Sequence, residues 1–224
     1  MCFARSAKPN KMKRPFAALI AILALVGLAM QFAFAIVNPA IQDLTVSERI
    51  VRYFSFFTVV SNGIIAIITT VIAVAPASRF SRRVQSGSVL TAATVYISIV
   101  ALVFSLFLRS VVNAQGWHLV SDHIVHDAVP PLFILFWLMY AAKNDIQWLD
   151  PVKWLIVPVV YIAYSLIHGA FDNWYPYWFA DVAKLGYPTA LKNSGFVLIA
   201  FLVFGFVFAA IAKVLSRTAN SVST

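Results

Sequence analysis

Six apolar stretches, each about as long as a bilayer is thick, take up most of this 224-residue chain, near positions 16–37, 53–75, 89–112, 125–142, 153–170 and 194–214. Crossing ~30 Å of hydrocarbon takes about 20 apolar residues as a helix, because lipid offers no partner to an unpaired backbone N–H or C=O. Their unbroken apolarity, without alternation, argues against membrane-barrel strands. With 62% of residues hydrophobic and 11% charged, the chain lacks the polar residues to clothe a water-exposed surface. The expected fold is all-α, a polytopic bundle of six transmembrane helices forming one domain over 1–224. No linker, low-complexity stretch or internal repeat divides it, and a lid-like loop is expected over 171–193.

Basic residues orient the bundle. Arg5, Lys8, Lys11, Lys13 and Arg14 precede the first stretch, Arg79, Arg82 and Arg83 follow the second, and Lys143, Lys153, Lys213 and Arg217 fall on the same side. Only Arg49, Arg52, Arg109, Lys184 and Lys192 fall on the other. Positive residues favour the cytoplasmic side, so both termini are expected in the cytoplasm and the protein in the cytoplasmic (inner) membrane. The net charge of +9 is split among short juxtamembrane segments, which suits topology and anionic membrane lipids and gives no nucleic-acid surface. Cys2 is the only cysteine, so neither an intramolecular disulfide nor a multi-thiolate metal centre is available. Basic residues, an apolar run and Ala33-Phe34-Ala35 imitate a secretory signal, yet the run is longer than an h-region of about 7–15 residues. A retained first helix is expected.

Polar residues inside such stretches are costly and usually face a bundle interior. Ser55, Thr58, Asn62 and Thr69 share one helical face, as do Tyr161, Ser165, His168 and Asp172, while Ser98, Ser105 and Arg109 add a third stripe. With the spans oriented, all four histidines fall at the outer end. Thr58 lies about 9 Å along the axis from Arg52, at 1.5 Å per residue. Thr58, Arg109, His126, His168 and Asp172 therefore share one layer.

The segments Phe56-Phe57-Thr58-Val59-Val60-Ser61-Asn62 and His126-Asp127-Ala128-Val129-Pro130 resemble the paired signatures of the androgen-induced-protein family, six-helix membrane hydrolases with bacterial relatives. Trp174-Tyr175-Pro176-Tyr177, with Asp181 and Leu185-Gly186-Tyr187, resembles a segment of the bacterial branch. Pro130-Pro131 departs from the eukaryotic turn. Eukaryotic members cleave fatty acid esters of hydroxy fatty acids with a threonine nucleophile and a histidine. The resemblance implies those roles for Thr58 and His126 and a lipid ester substrate, expected to enter from the bilayer; with Walker and dinucleotide glycine patterns missing, no cofactor is expected.

The chemistry is coherent: an alcohol needs a base to take its proton, and an imidazole titrates near ~6.5. Pro130 and Pro131 place the start of the fourth helix there, with His126 just outside it. Asp127 is the candidate to steady the imidazolium, and His168 with Asp172 to give further support. Asn62, one turn below Thr58, and then Ser61 are candidate oxyanion donors. Arg109 is a candidate fork for a substrate carboxylate, and Trp174, Tyr175 and Asn193 are further substrate contacts.

Taken singly, each residue has a plainer role. Thr58 can bond the carbonyl of Phe54, His118 and His123 read as loop histidines, His168 and Asp172 can satisfy one another, and Arg109 can snorkel. Two other functions compete. One is a metal-dependent hydrolase using His123, His126 and His168 with Asp127 or Asp172; the other is a transporter or channel lined by the polar stripes.

Overall fold

The computed structural model describes residues 11–38, 43–112 and 114–221, with side chains through 218; Cys2, Arg5 and Lys8 fall outside them. The described residues are predominantly helical, with no strand among them. Six helices are long and apolar enough to cross a membrane: Lys13–Val37, Phe57–Val74, Gly87–Leu108, Gly116–Tyr140, Asp150–Asp172 and Val182–Thr218.

The first span is helix α1 (Lys13–Val37). It packs along the second, α3 (Phe57–Val74), and against the fourth. Its small residues Ala17, Ala21, Ala24 and Gly27 are buried, which brings backbones close in a setting where packing drives association. A Cβ on Gly27 would come within 2.7 Å of Val125 Cγ1, so α1 meets the fourth span there without clearance.

The third span, α5 (Gly87–Val103), is the centre of the bundle: every residue from Leu90 to Val100 is buried. The second span packs on it, as does α7 (Val129–Tyr140) from the fourth and α10 (Val182–Ser221) from the sixth. The fifth is α8 (Asp150–Trp154) followed by α9 (Ile156–Asp172). A short α4 (Arg79–Val84), capped by the Ser78 hydroxyl on Ser81 N–H, links the second and third spans.

Three departures from continuous helix shape one end of the bundle. The expected stretch 53–75 is broken: α2 (Val46–Phe54) begins at a Thr45/Glu48 capping box, and Phe56 is extended (φ −80°, ψ 131°) before α3 restarts. The fourth span starts at Gly116, not near 125, because α6 (Gly116–His123) runs into a π-turn (Ile124–Ala128) and on into α7. Pro130 and Pro131 therefore interrupt the hydrogen-bond ladder of a continuing helix rather than begin it. A second π-turn, Phe104–Leu108, closes the third span.

The loop expected over 171–193 is also shorter. Asn173 ends α9 with a positive φ of 50°, a 3-10 turn follows at Trp178–Ala180, and helix resumes at Val182. Gly186 (φ 72°, ψ 158°) kinks α10, and Pro188 is accommodated in the first turn after the kink. The apolar run begins only near 194, but a helix can extend beyond its apolar core.

Candidate active site

The break before α3 puts Thr58 in the first turn of a new helix, so no continuous helix joins it to the carbonyl of Phe54. Its hydroxyl instead meets the imidazole of the fourth span: Thr58 Oγ1 and His126 Nε2 are 3.3 Å apart, both residues buried. His126 Nδ1 lies 3.0 Å from the backbone oxygen of Asp122. A carbonyl only accepts, so Nδ1 carries the proton and Nε2 presents a lone pair to the Thr58 hydroxyl. That is the tautomer a general base for Thr58 requires.

Both π-turns converge on this imidazole. The Phe104 ring stacks on His126 at 3.7 Å between centroids and 6° between planes, fixing the ring's orientation. The fourth-span π-turn leaves a carbonyl without a helical donor. Val129 N–H bonds Ile124 O across the widened turn, and the next residue, Pro130, has no N–H, which orphans Val125 O. The side-chain amide of Asn62 supplies the missing donor at 3.3 Å, while also donating to Thr58 O at 3.0 Å. Asn62 thus ties the Thr58 turn to the His126 turn. Both of its N–H groups are spent on carbonyls, so it has none to offer an oxyanion, contrary to the expectation.

The other candidates divide. Ser61 is buried one turn below Phe57, and its hydroxyl has no hydrogen-bond partner. Asp127 does not serve His126: its carboxylate is taken by the Arg109 guanidinium through both terminal nitrogens and by His123 Nδ1 at 2.6 Å. The same pairing occupies the Arg109 fork, whose affinity for its proton rises through that hydrogen bond, and it leaves no free fork for a substrate carboxylate.

The acidic residue near the imidazole is Asp122, which the sequence reading passed over. It is 5% exposed, its Oδ1 accepts from Gln31 Nε2 at 2.9 Å, and that oxygen lies 4.0 Å from His126 Nδ1. His118, stacked on Phe34, approaches the same oxygen at 3.9 Å. The signal was present as an aspartate four residues before His126, but it was hidden by placing 118–124 in a loop.

His168 and Asp172 do not join the dyad, nor do they satisfy each other. Asp172 pairs with Arg52 at 3.4 Å, and His168 packs on Tyr164 and Trp174. Trp174 also covers the Arg52 guanidinium and packs on Phe56. Tyr175 packs on Gly169, where any Cβ would overlap its ring, and Asn193 donates to Phe179 O at 2.8 Å. These residues hold the 173–181 segment in place and do not reach Thr58. Among the described residues no three His, Cys, Asp or Glu side chains are placed to hold one metal ion.

The segment's one direct link to the dyad is Tyr177, also absent from the expected site. Its hydroxyl oxygen accepts from Phe57 N–H at 3.1 Å, one residue before Thr58. Tyr161 stands behind it, its own hydroxyl donating to Ser55 O at 2.8 Å. Thr58, Tyr161 and Tyr177 open onto a narrow cleft of about 50 Å³, which Ser165 and Ser194 also line and which is otherwise walled by apolar side chains including Val103, Leu108 and Phe201. An apolar cleft with a few convergent hydroxyls has the character of a small-molecule site. His126 is not on its wall; it sits behind Thr58.

Comparison with protein-family models, with curated proteins and with solved structures returns no match.

Proposed function

We propose that the protein is a multi-pass membrane hydrolase of lipid-like carboxylic esters, fatty acid esters of hydroxy fatty acids or similar, with Thr58 as nucleophile and His126 as general base. The observation that carries this reading is the buried 3.3 Å approach of Thr58 Oγ1 to His126 Nε2 at the edge of an apolar cleft. The resemblance of the segments around Thr58 and His126 to the androgen-induced-protein family points the same way.

In this reaction Thr58 Oγ1 attacks the ester carbonyl carbon while its proton passes to His126 Nε2, and the carbonyl electron pair moves onto oxygen. Collapse of that adduct restores the C=O bond and expels the alcohol, which takes the proton from His126. A water then repeats the sequence on the acyl-threonine, releasing the fatty acid. The ester reaches Thr58 sideways from the bilayer through the narrow apolar cleft, whose walls part to admit the acyl chain. Both termini lie in the cytoplasm and the dyad toward the outer leaflet, the arrangement favoured by the distribution of Lys and Arg.

The test is Thr58→Ala and His126→Ala in purified protein against a panel of lipid esters. Loss of turnover in both variants, with retained folding, is the expected result; wild-type turnover in either rejects the dyad.

A further inference from the structure

We propose that Tyr177, resting on the hydrolase reading above, is a catalytic residue whose phenol O–H donates to the ester oxygen as it becomes an oxyanion. The geometry makes it the group best placed to do so. Attack by Thr58 Oγ1 leaves the developing oxyanion on the carbon that this oxygen has just bonded, so its donor must lie beside the Thr58 hydroxyl and face the cleft. Asn62 is excluded because its N–H groups bond Thr58 O and Val125 O. Arg109 is held by Asp127. Tyr177 meets both conditions: its hydroxyl sits on the N–H of Phe57, the residue before Thr58, and the Tyr177 and Thr58 side chains line the same cleft.

The hydroxyl's own bonding keeps its proton available. Its oxygen accepts from Phe57 N–H, so a lone pair is used and the O–H is left to donate. Burial pushes the phenol's pKa upward, so at neutral pH it stays protonated. Ring contacts with Phe56 and Phe179 hold the side chain without occupying its hydroxyl. When an ester enters, the O–H turns from its resting neighbours to the carbonyl oxygen, and its hydrogen bond strengthens as negative charge gathers there. No proton leaves Tyr177; the transferred proton is the one passed between Thr58 and His126.

The experiment compares an oxoester with its thionoester, in which sulfur replaces the carbonyl oxygen and accepts hydrogen bonds poorly, in wild-type protein and in Tyr177→Phe. Loss of one oxyanion donor typically costs about 10²–10³ in kcat. Tyr177→Phe is expected to lower oxoester kcat by that order with KM little changed, while thionoester turnover changes far less, so the oxygen-over-sulfur preference collapses. Tyr177→Phe also removes the acceptor for Phe57 N–H, and a purely structural role would slow both substrates equally. An unchanged preference therefore overturns the assignment even if the variant is less stable. If wild-type turnover depends on Thr58 but Tyr177→Phe retains full kcat and preference, Tyr177 fails and the dyad stands; if no turnover depends on Thr58, both fall.

Discussion

Two sets of buried hydroxyl residues, in the interior of the helices and at the dyad, are built from the same side chains and behave differently. Thr69, Thr91, Thr94 and Ser98 each donate to the carbonyl four residues back, at 2.7 Å in every case. Each spends its proton within its own helix, the usual way to bury a hydroxyl in a membrane span, although Thr91 Oγ1 also accepts from Trp137 Nε1 at 2.7 Å. Thr58 is equally buried, but the break at Ser55 and Phe56 separates it from the helix before, and its hydroxyl turns to His126. The carbonyl of Val125 is likewise detached from its ladder, by Pro130, and turns to Asn62. At Thr58 and Val125, local irregularity of the backbone is what frees the groups to meet across helices.

That contrast predicts an ordered series of effects. Thr58→Ala or His126→Ala should lower kcat/KM for a lipid ester by at least about 10³-fold, as for other members of nucleophile–base pairs, with thermal stability near wild type. Asn62→Leu should cost about 1–3 kcal/mol through the unsatisfied carbonyl of Val125, and should also slow turnover by loosening the two turns; thermal unfolding and kinetics in the same detergent check this. Asp122→Asn keeps the backbone carbonyl that sets the imidazole tautomer and removes an acidic group 4.0 Å from Nδ1. It should lower kcat by about tenfold, whereas Asp127→Asn should stay within about twofold, because Asp127 serves Arg109 and His123. Equal losses from the two aspartates would contradict the assignment. Thr69→Ala, which removes only a self-satisfied hydroxyl, should change unfolding by no more than about 0.5–1 kcal/mol and leave turnover intact.

Much of the architecture was legible because membrane spans follow from length and apolarity alone. Four of the six spans lie within about a turn of the apolar runs, while the sixth begins at Val182, well before its apolar run at 194. The fourth was misplaced at its start because Pro130 and Pro131 carry the usual mark of a helix beginning, and only tertiary contacts distinguish that from a π-turn within a helix. The meeting of Thr58 and His126 followed from depth and from the family resemblance; depth alone could not place two side chains at the same azimuth. Asp122 and Tyr177 were missed for opposite reasons. Asp122 was lost with the misplaced helix start, while Tyr177 stood out only as part of the Trp174-Tyr175-Pro176-Tyr177 segment, with no role of its own. Asn62 was found with the wrong role, because its donors are claimed by a carbonyl whose vacancy exists only once the fourth span has folded around its prolines.

The most direct test of the account is the mass of the covalent adduct formed with a lipid-chained fluorophosphonate. A single modification on Thr58, absent in His126→Ala and blocked by competing lipid ester, is the predicted result. An adduct on another residue, or wild-type labelling that survives in Thr58→Ala, would contradict it.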